Sequence, residues 1–166
     1  MHNLDTLFLD RDGVINKKLK GQYVRNFSEF EFMNGALKAI SQLTDIFNRI
    51  IMITNQQGIG KAIMSKSELN ILHAQMQKRI EYSGGRIDKI YYCPHLKESD
   101  CICRKPKPGM IQQAVIDFPK IIIDDSFLVG DSDSDIEAGK RMNLNTVKVD
   151  DYYTLQKWTT DLTAII

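Results

Sequence analysis

FLDRDGVIN, residues 8–16, ends an apolar run in two carboxylates that stand one residue apart. The run Leu4–Leu9 is short and apolar enough to be a buried strand, which Gly13 helps to end. Asp10 and Asp12 at the end of such a strand are costly to bury unless a cation meets them. The stretch therefore predicts a strand that delivers two acidic side chains to a charged site.

Strands and amphipathic helices alternate along the rest of the chain. Apolar runs rich in β-branched residues predict four more strands, at residues 49–54, 87–92, 126–130 and 145–149. Apolar stripes predict helices between them: one from Gly35 through Phe47, one opened by a Ser65 and Glu68 capping box, and one from Pro108 to about Phe118. This alternation predicts one domain over residues 1–166, an α/β fold with a doubly wound, Rossmann-like parallel sheet.

Size and charge limit the classes of function. The 166 residues carry 22 Lys and Arg against 21 Asp and Glu, a net charge of +1 that favours neither nucleic acid nor an anionic membrane as partner. No apolar run approaches the roughly 20 residues that span a bilayer, and the first residues turn acidic before a signal-peptide core could form. We expect a cytoplasmic protein, and a monomer because no heptad pattern is present.

Polar side chains follow the predicted strands at the point where each strand ends. Asp10 and Asp12 follow the first strand, Thr54 and Asn55 end the second, and Asp131 follows the fourth. Because the carboxyl ends of parallel strands meet at one edge of a sheet, these side chains should share one site.

Acidic side chains at one sheet edge raise one another's pKa or require a cation. Asp10, Asp12, Asp131 and Asp135 are the carboxylates concerned, and Asp133 is interpreted instead as a residue that opens a helix. Oxygen ligands of this kind suit Mg²⁺, which keeps open positions for phosphate oxygens. The sequence predicts a Mg²⁺ site for a small phosphorylated metabolite.

A basic block, CRKPKPGM at residues 103–110, supplies matching positive charge. Arg104 and Lys105 stand just before a helix that a proline opens, so two cations and a helix N-terminus can meet one anion. Asp10 could then attack phosphorus and form an aspartyl phosphate. Asp12 could protonate the leaving alkoxide and later deprotonate water, while Lys105 offsets charge on the phosphoryl oxygens.

A second cluster of metal-ligand side chains lies within eleven residues. An odd number of cysteines in one short loop suits a metal site in a reducing compartment better than a disulfide framework. The four side chains, enough for a closed tetrahedral Zn²⁺ site, are Cys93, His95, Cys101 and Cys103. The alternative is free buried cysteines beside a chance histidine. We assign no function to His2 and His73.

Four blocks of the chain resemble, in order and spacing, the four motifs of the haloacid dehalogenase superfamily of phosphatases. They are FLDRDGVIN (8–16), IMITNQQGIG (51–60), CRKPKPGM (103–110) and FLVGDSDSDIEAG (127–139). The resemblance implies a catalytic set made of the nucleophile Asp10, the general acid and base Asp12, the phosphate-binding hydroxyl of Thr54, and Lys105. It also implies that Mg²⁺ is held by the Asp10 carboxylate, the Asp12 carbonyl and the Asp131 carboxylate, with Asp135 orienting the metal shell.

The zinc loop CPHLKESDCIC, residues 93–103, resembles that of the subgroup containing heptose 1,7-bisphosphate phosphatases and histidinol-phosphate phosphatases. The resemblance implies a structural zinc that shapes the loop presenting Arg104 and Lys105. It implies hydrolysis of the C7 phosphate of D-glycero-D-manno-heptose 1,7-bisphosphate, with histidinol phosphate as the alternative substrate. The spacing from Asp10 to Thr54 and on to Lys105 leaves no room for a cap domain.

The segment 16–36 resembles the early loop of the heptose enzymes. We therefore expect Asn16 and Tyr23 to bind substrate, together with Asn55 and Arg104. The lysines of this segment, Lys17, Lys18 and Lys20, are interpreted equally well as solvated charges.

Two other classes of function are possible for such a chain. A receiver-like phospho-switch also uses acidic residues, a threonine and a lysine on a parallel sheet, but its phosphorylated aspartate follows a middle strand. A zinc-dependent interaction module would need none of the carboxylates.

Overall fold

The computed structural model describes residues 3–166, so that His2 lies outside the described residues. Five parallel strands form one sheet in the order β3-β2-β1-β4-β5. The strands are β1 (Leu4–Leu9), β2 (Phe47–Asn55), β3 (Lys89–Cys93), β4 (Phe127–Gly130) and β5 (Asn145–Lys148). The α-helices are α1 (Ala36–Ile46), α2 (Lys66–Tyr82), α3 (Gly109–Asp117), α4 (Asp133–Arg141) and α5 (Leu155–Thr163). The predicted doubly wound α/β fold is confirmed.

The central strands are buried on both faces, as their continuous apolar runs predict. In β1, Leu7 and Leu9 belong to the core that α1, α2 and α5 cover, whereas Phe8 belongs to the core under α3 and α4. All three side chains have no exposed surface. Helices therefore cover both faces of the sheet, so a binding site has to form at its edges or at the ends of its strands.

The sequence places the boundary between α1 and β2 wrongly. Phe47 continues the apolar stripe of α1, yet its backbone is extended and it pairs with Leu4 as the first residue of β2. Its N–H still donates to the Leu43 carbonyl, so the helix passes into the strand with no intervening loop. The stripe extends through Phe47 because the strand buries this ring in the same core as α1.

Smaller differences occur at β3 and at the ends of the other elements. Residues 87–88 precede β3, where the Asp88 carboxylate accepts a hydrogen bond of 2.7 Å from the Ile50 N–H. The capping box is confirmed, because Ser65 and Glu68 each accept a hydrogen bond from the backbone N–H of the other. Pro108 is the N-cap of α3, one residue before the helix begins.

The strand order reverses at β1, whose neighbours are β2 and β4. Ligands of doubly wound sheets bind at the carboxyl ends of strands near such a reversal. The connections that follow β1 and β2 contain no inserted domain within residues 3–166, which agrees with a fold without a cap. Across those same residues, no helix is both long and apolar enough to cross a bilayer.

Candidate active site

A cavity of about 240 Å³ opens at the carboxyl ends of β1, β2 and β4. Most of the predicted site residues line it: Asp10, Asp12, Tyr23, Asn55, Arg104, Lys105, Asp131 and Asp135. Its wall also has polar side chains that the sequence motifs do not identify as ligands: Arg11, Gln22, Gln56, Gln57, Ser132 and Ser134. The fold thus gathers residues from five separate segments around one polar cavity: 10–12, 22–23, 55–57, 104–105 and 131–135.

Lys105 is a buried cation that lines the cavity. Its Nζ lies 2.8 Å from Asp10 Oδ1 and 2.6 Å from Asp135 Oδ1, and it donates to the Ile53 carbonyl at 3.0 Å. The side chain is only 3% exposed. Burial lowers the pKa of Lys105, but the two carboxylates outweigh it and the net pKa is raised, so the ammonium stays charged.

Asp10 is held in place by its own backbone as well as by Lys105. Its N–H donates to the Val129 carbonyl of β4 at 3.0 Å, which fixes the residue directly beyond the end of β1. Burial raises the pKa of Asp10 well above its usual range, Lys105 opposes this rise, and the charges of Asp135, Asp12 and Asp131 add to it. Around Asp10, three carboxylates therefore act against one ammonium, and this local excess of negative charge favours a further cation beside Asp10.

Asp12 is surrounded by hydrogen-bond donors. Oδ1 accepts from Arg11 Nη2 and Asn16 Nδ2, both at 3.0 Å, and Oδ2 accepts from Gln56 Nε2 at 3.0 Å. Burial raises the pKa of Asp12, but the Arg11 charge and these hydrogen bonds outweigh it and lower the net pKa. The carboxylate is therefore fixed in position and ionised in the free protein.

Asp131 offers an oxygen that no group in the described part of the chain satisfies. Oδ1 is buried and, among residues 3–166, has no hydrogen-bond partner, while Lys18 Nζ lies 3.3 Å from Oδ2. A Cβ on Gly13, whose φ is +86°, would lie 2.3 Å from Oδ2, so only glycine lets this carboxylate approach the turn after β1. The oxygens of Asp10, Asp131 and Asp135 lie within 4.8 Å of one another. An all-oxygen set with an unpartnered buried member fits Mg²⁺.

Asp135 and Asp133 differ although both belong to the first turn of α4. Asp135 is buried, and its Oδ2 accepts from the N–H groups of Asp131 and Ser132 while its Oδ1 binds Lys105. Asp133 is 95% exposed and pairs with Lys148 on the surface, in agreement with its interpretation as a helix-opening residue.

The predicted zinc ligands come together at the end of β3, which contributes Cys93, and in the loop that follows it. Cys93 Sγ lies 3.0 Å from Cys103 Sγ and 3.8 Å from Cys101 Sγ, and His95 Nδ1 lies 3.4 Å and 3.2 Å from the sulfurs of Cys93 and Cys103. Four soft or borderline ligand atoms within 4.8 Å of one another fit a tetrahedral Zn²⁺ without an open position.

Asn55 joins β2 to the loop that carries Lys105. Its Nδ2 donates to the Lys105 carbonyl at 3.2 Å, and its Oδ1 accepts from the Lys105 N–H at 3.0 Å. Both ends of the amide are therefore used within the protein. Arg104 Nη1, in contrast, is buried without a partner in the described chain, and its side chain lines the cavity.

The outer wall of the cavity links the early loop to the zinc loop. Gln57 Nε2 donates to Tyr23 Oη at 2.9 Å, and Gln57 Oε1 accepts from the Lys97 N–H at 3.2 Å. Lys61 Nζ lies 5.4 Å from the centre of the Tyr23 ring. Tyr23 lines the cavity and is held in place by these contacts.

Two predicted site residues lie behind the cavity wall. Thr54 has no exposed surface, and its hydroxyl accepts from Gln56 Nε2 at 2.9 Å. Asn16 also has no exposed surface and contacts Asp12 instead of the cavity, which differs from the expected substrate contact. The sequence predicts the strand-end location of Thr54 but cannot show how its hydroxyl is oriented.

Acidification is expected to destabilise the chain through His73. Burial and the adjacent Arg11 charge lower the pKa of His73 to about 3, below its usual 6.5, and the other groups that face it are Asp12 and the Tyr92 ring. The unfolded chain takes up a proton at His73 below pH 6.5 and the folded chain does not, so stability falls from about pH 6.5 towards pH 3. Between pH 7 and pH 4 this contributes a loss of about 2–3 kcal/mol.

Urea unfolding at pH 7 and pH 4 measures this loss, with His73→Gln as the comparison. The variant has no group that titrates in this range at position 73, so its free energy of unfolding should fall by less than that of the wild type. An equal fall of the free energy of unfolding in both proteins would show that His73 does not cause the loss of stability.

Comparisons with known proteins agree with this geometry. Residues 6–159 match the family model described as polynucleotide kinase 3 phosphatase. The chain is 41% identical over 131 residues to the D-glycero-alpha-D-manno-heptose-1,7-bisphosphate 7-phosphatase of Mycobacterium tuberculosis (strain ATCC 25618 / H37Rv), covering 79% of this chain and 69% of the relative. It is 39% identical over 150 residues to the D-glycero-beta-D-manno-heptose-1,7-bisphosphate 7-phosphatase of Pasteurella multocida (strain Pm70), covering 86% and 80%.

A solved structure is similar over almost the whole chain. The crystal structure of D,D-heptose 1,7-bisphosphate phosphatase from B. bronchiseptica, complexed with magnesium and phosphate, has a TM-score of 0.89 and 26% identity and covers 98% of this chain and 99% of that chain. Fold, site geometry and sequence similarity agree. The chain belongs to the heptose-1,7-bisphosphate 7-phosphatase family within the haloacid dehalogenase superfamily.

Proposed function

We propose that the chain is a Mg²⁺-dependent phosphatase that hydrolyses the C7 phosphate of D-glycero-D-manno-heptose 1,7-bisphosphate. The observation that carries this proposal is the buried Asp10–Lys105 pair in a charged cavity that Asp131 also lines, whose Oδ1 has no hydrogen-bond partner among residues 3–166. The curated relatives named for this reaction and the solved structure that contains magnesium and phosphate support it.

In the first half-reaction, a carboxylate oxygen of Asp10 attacks phosphorus. A bond forms between Asp10 and phosphorus while the bond from phosphorus to the substrate oxygen breaks, which yields an aspartyl phosphate. Asp12 gives its proton to the departing alkoxide. The donors around Asp12 favour its ionised form in the free protein, and the negative charge of bound substrate favours uptake of the proton that this step needs.

In the second half-reaction, Asp12 works in the opposite direction. As a carboxylate it takes a proton from water, and the water oxygen attacks phosphorus. The bond between phosphorus and Asp10 breaks, which releases phosphate and restores the Asp10 carboxylate. Lys105 stays charged throughout and stabilises negative charge beside Asp10.

The two metals have separate tasks in this proposal. Asp10, Asp131 and the Asp12 carbonyl would hold Mg²⁺, which neutralises phosphate charge when bound, and Asp135 would orient these ligands. Cys93, His95, Cys101 and Cys103 would hold a structural Zn²⁺ that fixes the loop before Arg104 and Lys105.

We assign the substrate contacts from the hydrogen-bonding groups that each side chain does not already use within the protein. Arg104 has a guanidinium nitrogen without a partner among residues 3–166 and suits a distal phosphate or sugar hydroxyls, and Tyr23 lines the same cavity. Asn55 acts through Lys105 and Asn16 acts through Asp12, so we assign both to positioning. Thr54 remains the proposed phosphate-binding hydroxyl: it accepts from Gln56 Nε2, which leaves its own hydrogen to donate to a phosphate oxygen.

We propose that residues 1–166 form one domain that acts as a monomer in the cytoplasm. A reducing compartment keeps the three thiols available to zinc, and all three are free. The net charge of +1 gives no support for a nucleic acid partner.

The test is steady-state phosphate release with Mg²⁺ from both anomers of heptose 1,7-bisphosphate and from histidinol phosphate. We expect kcat/KM for one heptose anomer to exceed that for histidinol phosphate by at least about 100-fold, since Arg104 and Tyr23 recognise groups that histidinol lacks. A preference for histidinol phosphate would overturn the substrate assignment. Release of only one phosphate per chain would favour a phospho-switch over an enzyme.

A further inference from the structure

A fully buried cation connects the acid and base of the active site to helix α2. The Arg11 side chain is 1% exposed. Its Nη2 donates to Asp12 Oδ1 at 3.0 Å, and its Nη1 lies 3.0 Å from Nε2 of His73. His73 lies on α2 and is 4% exposed. One guanidinium therefore spans the distance between the active site and a helix far away in sequence.

The chemistry of the contact fixes the state of His73. A guanidinium can only donate hydrogen bonds, so Nε2 must accept, and the imidazole is neutral with its proton on Nδ1. The lowered pKa of His73 agrees with this state. His73 thus offers a neutral acceptor to a buried charge.

Arg11 has few other supports. Its Nε is buried and finds no partner within residues 3–166, and the Phe30 ring centre lies 5.9 Å from Cζ. Burying a charged guanidinium costs free energy, and with so few partners each of its hydrogen bonds is needed to offset that cost. Because the guanidinium is planar and rigid, fixing Nη1 also fixes Nη2 and hence the direction of the hydrogen bond to Asp12.

We propose that His73 is a positioning residue that acts through Arg11 to aim the Asp12 carboxyl at the leaving alkoxide. The inference rests on the proposed function, in which Asp12 is the general acid. Asn16 and Gln56 hold Asp12 from other directions, so the loss of His73 misaligns the group without releasing it. Such a misalignment weakens proton transfer more than it weakens binding.

The leaving group of the substrate separates this role from a merely structural one. Departure of an alkoxide needs the proton of Asp12, whereas p-nitrophenolate leaves without one. The ratio kcat/KM covers the steps up to departure of the leaving group. A defect confined to the general acid therefore lowers kcat/KM for an alkyl phosphate and leaves that for p-nitrophenyl phosphate unchanged.

The experiment compares His73→Leu, which removes the acceptor, with His73→Gln, whose amide oxygen can accept from Arg11. The substrates are p-nitrophenyl phosphate and the alkyl phosphate that the wild type hydrolyses best. For His73→Leu we expect kcat/KM for the alkyl phosphate to fall by about 10- to 100-fold, with less than a threefold change for p-nitrophenyl phosphate. His73→Gln should recover to within about threefold of wild type.

Leu69→Val is the matched control, because Leu69 is a buried α2 residue of the same core. It should leave the ratio between the two substrates unchanged. If His73→Leu does not fold, His73→Phe, which keeps a ring and lacks the acceptor, takes its place. Equal losses on both substrates, or no loss on either, would overturn the role of His73. A wild type without multiple turnover of either substrate would instead overturn the proposed function.

Discussion

Asp10→Asn is expected to lower kcat for phosphate release by at least about 10³-fold, because an amide cannot form the aspartyl phosphate. The fold should survive this change. The Asn oxygen can still accept from Lys105, which also keeps its contacts with Asp135 and the Ile53 carbonyl. The substitution also removes one of several carboxylates that repel one another in the cavity.

The measurement is phosphate release at saturating substrate, with circular dichroism and thermal unfolding on the same samples. Asp133→Asn is the matched control, since Asp133 is an exposed carboxylate near the site that pairs with Lys148. We expect it to keep wild-type turnover. Normal phosphate release by a folded Asp10→Asn variant would exclude Asp10 as the nucleophile and contradict the aspartyl phosphate mechanism.

Cys101→Ser is expected to abolish stoichiometric zinc binding and to lower the free energy of unfolding by several kcal/mol. A structural zinc contributes directly to folding, and a serine hydroxyl is a poor replacement for a thiolate. For a chain of this size, such a loss corresponds to a decrease in melting temperature on the order of 10 °C. Zinc content per chain and differential scanning calorimetry measure the two effects.

Cys101→Ser should also lower phosphatase activity, because the zinc loop runs directly into the segment that carries Arg104 and Lys105. Lys107 Nζ donates to the Cys101 carbonyl at 2.7 Å, and Cys103 stands two residues before Lys105. Ser99→Ala is the control, because Ser99 is an exposed residue of the same loop and is not a ligand. A Cys101→Ser protein that keeps one zinc per chain and its melting temperature would contradict the assignment.

The strand ends explain why so much of the site is predictable from sequence. A parallel sheet places the carboxyl ends of its strands at one edge, so Asp10, Asn55 and Asp131 had to meet once the strands were identified. The zinc cluster was equally predictable, since its four ligands lie close together in sequence. Sheet topology brings the first group together, and closeness in sequence brings the second group together.

The Arg11–His73 contact could not be predicted in this way. It depends on the packing of α2 behind the turn after β1, and the sequence contains no spacing that links these residues. The burial of Thr54 and Asn16 has the same origin, because side-chain orientation beyond a strand end is set by neighbours such as Gln56. Phe47 shows a related limit, since a buried ring fits a helix stripe and a strand equally well.

³¹P NMR of heptose 1,7-bisphosphate, incubated with the protein and Mg²⁺, shows which phosphate is released and how often. We expect many turnovers per chain, loss of the C7 phosphate signal, retention of the C1 phosphate signal, and no reaction when Mg²⁺ is chelated. Release of the C1 phosphate, or no release beyond one phosphate per chain, would contradict the proposed function.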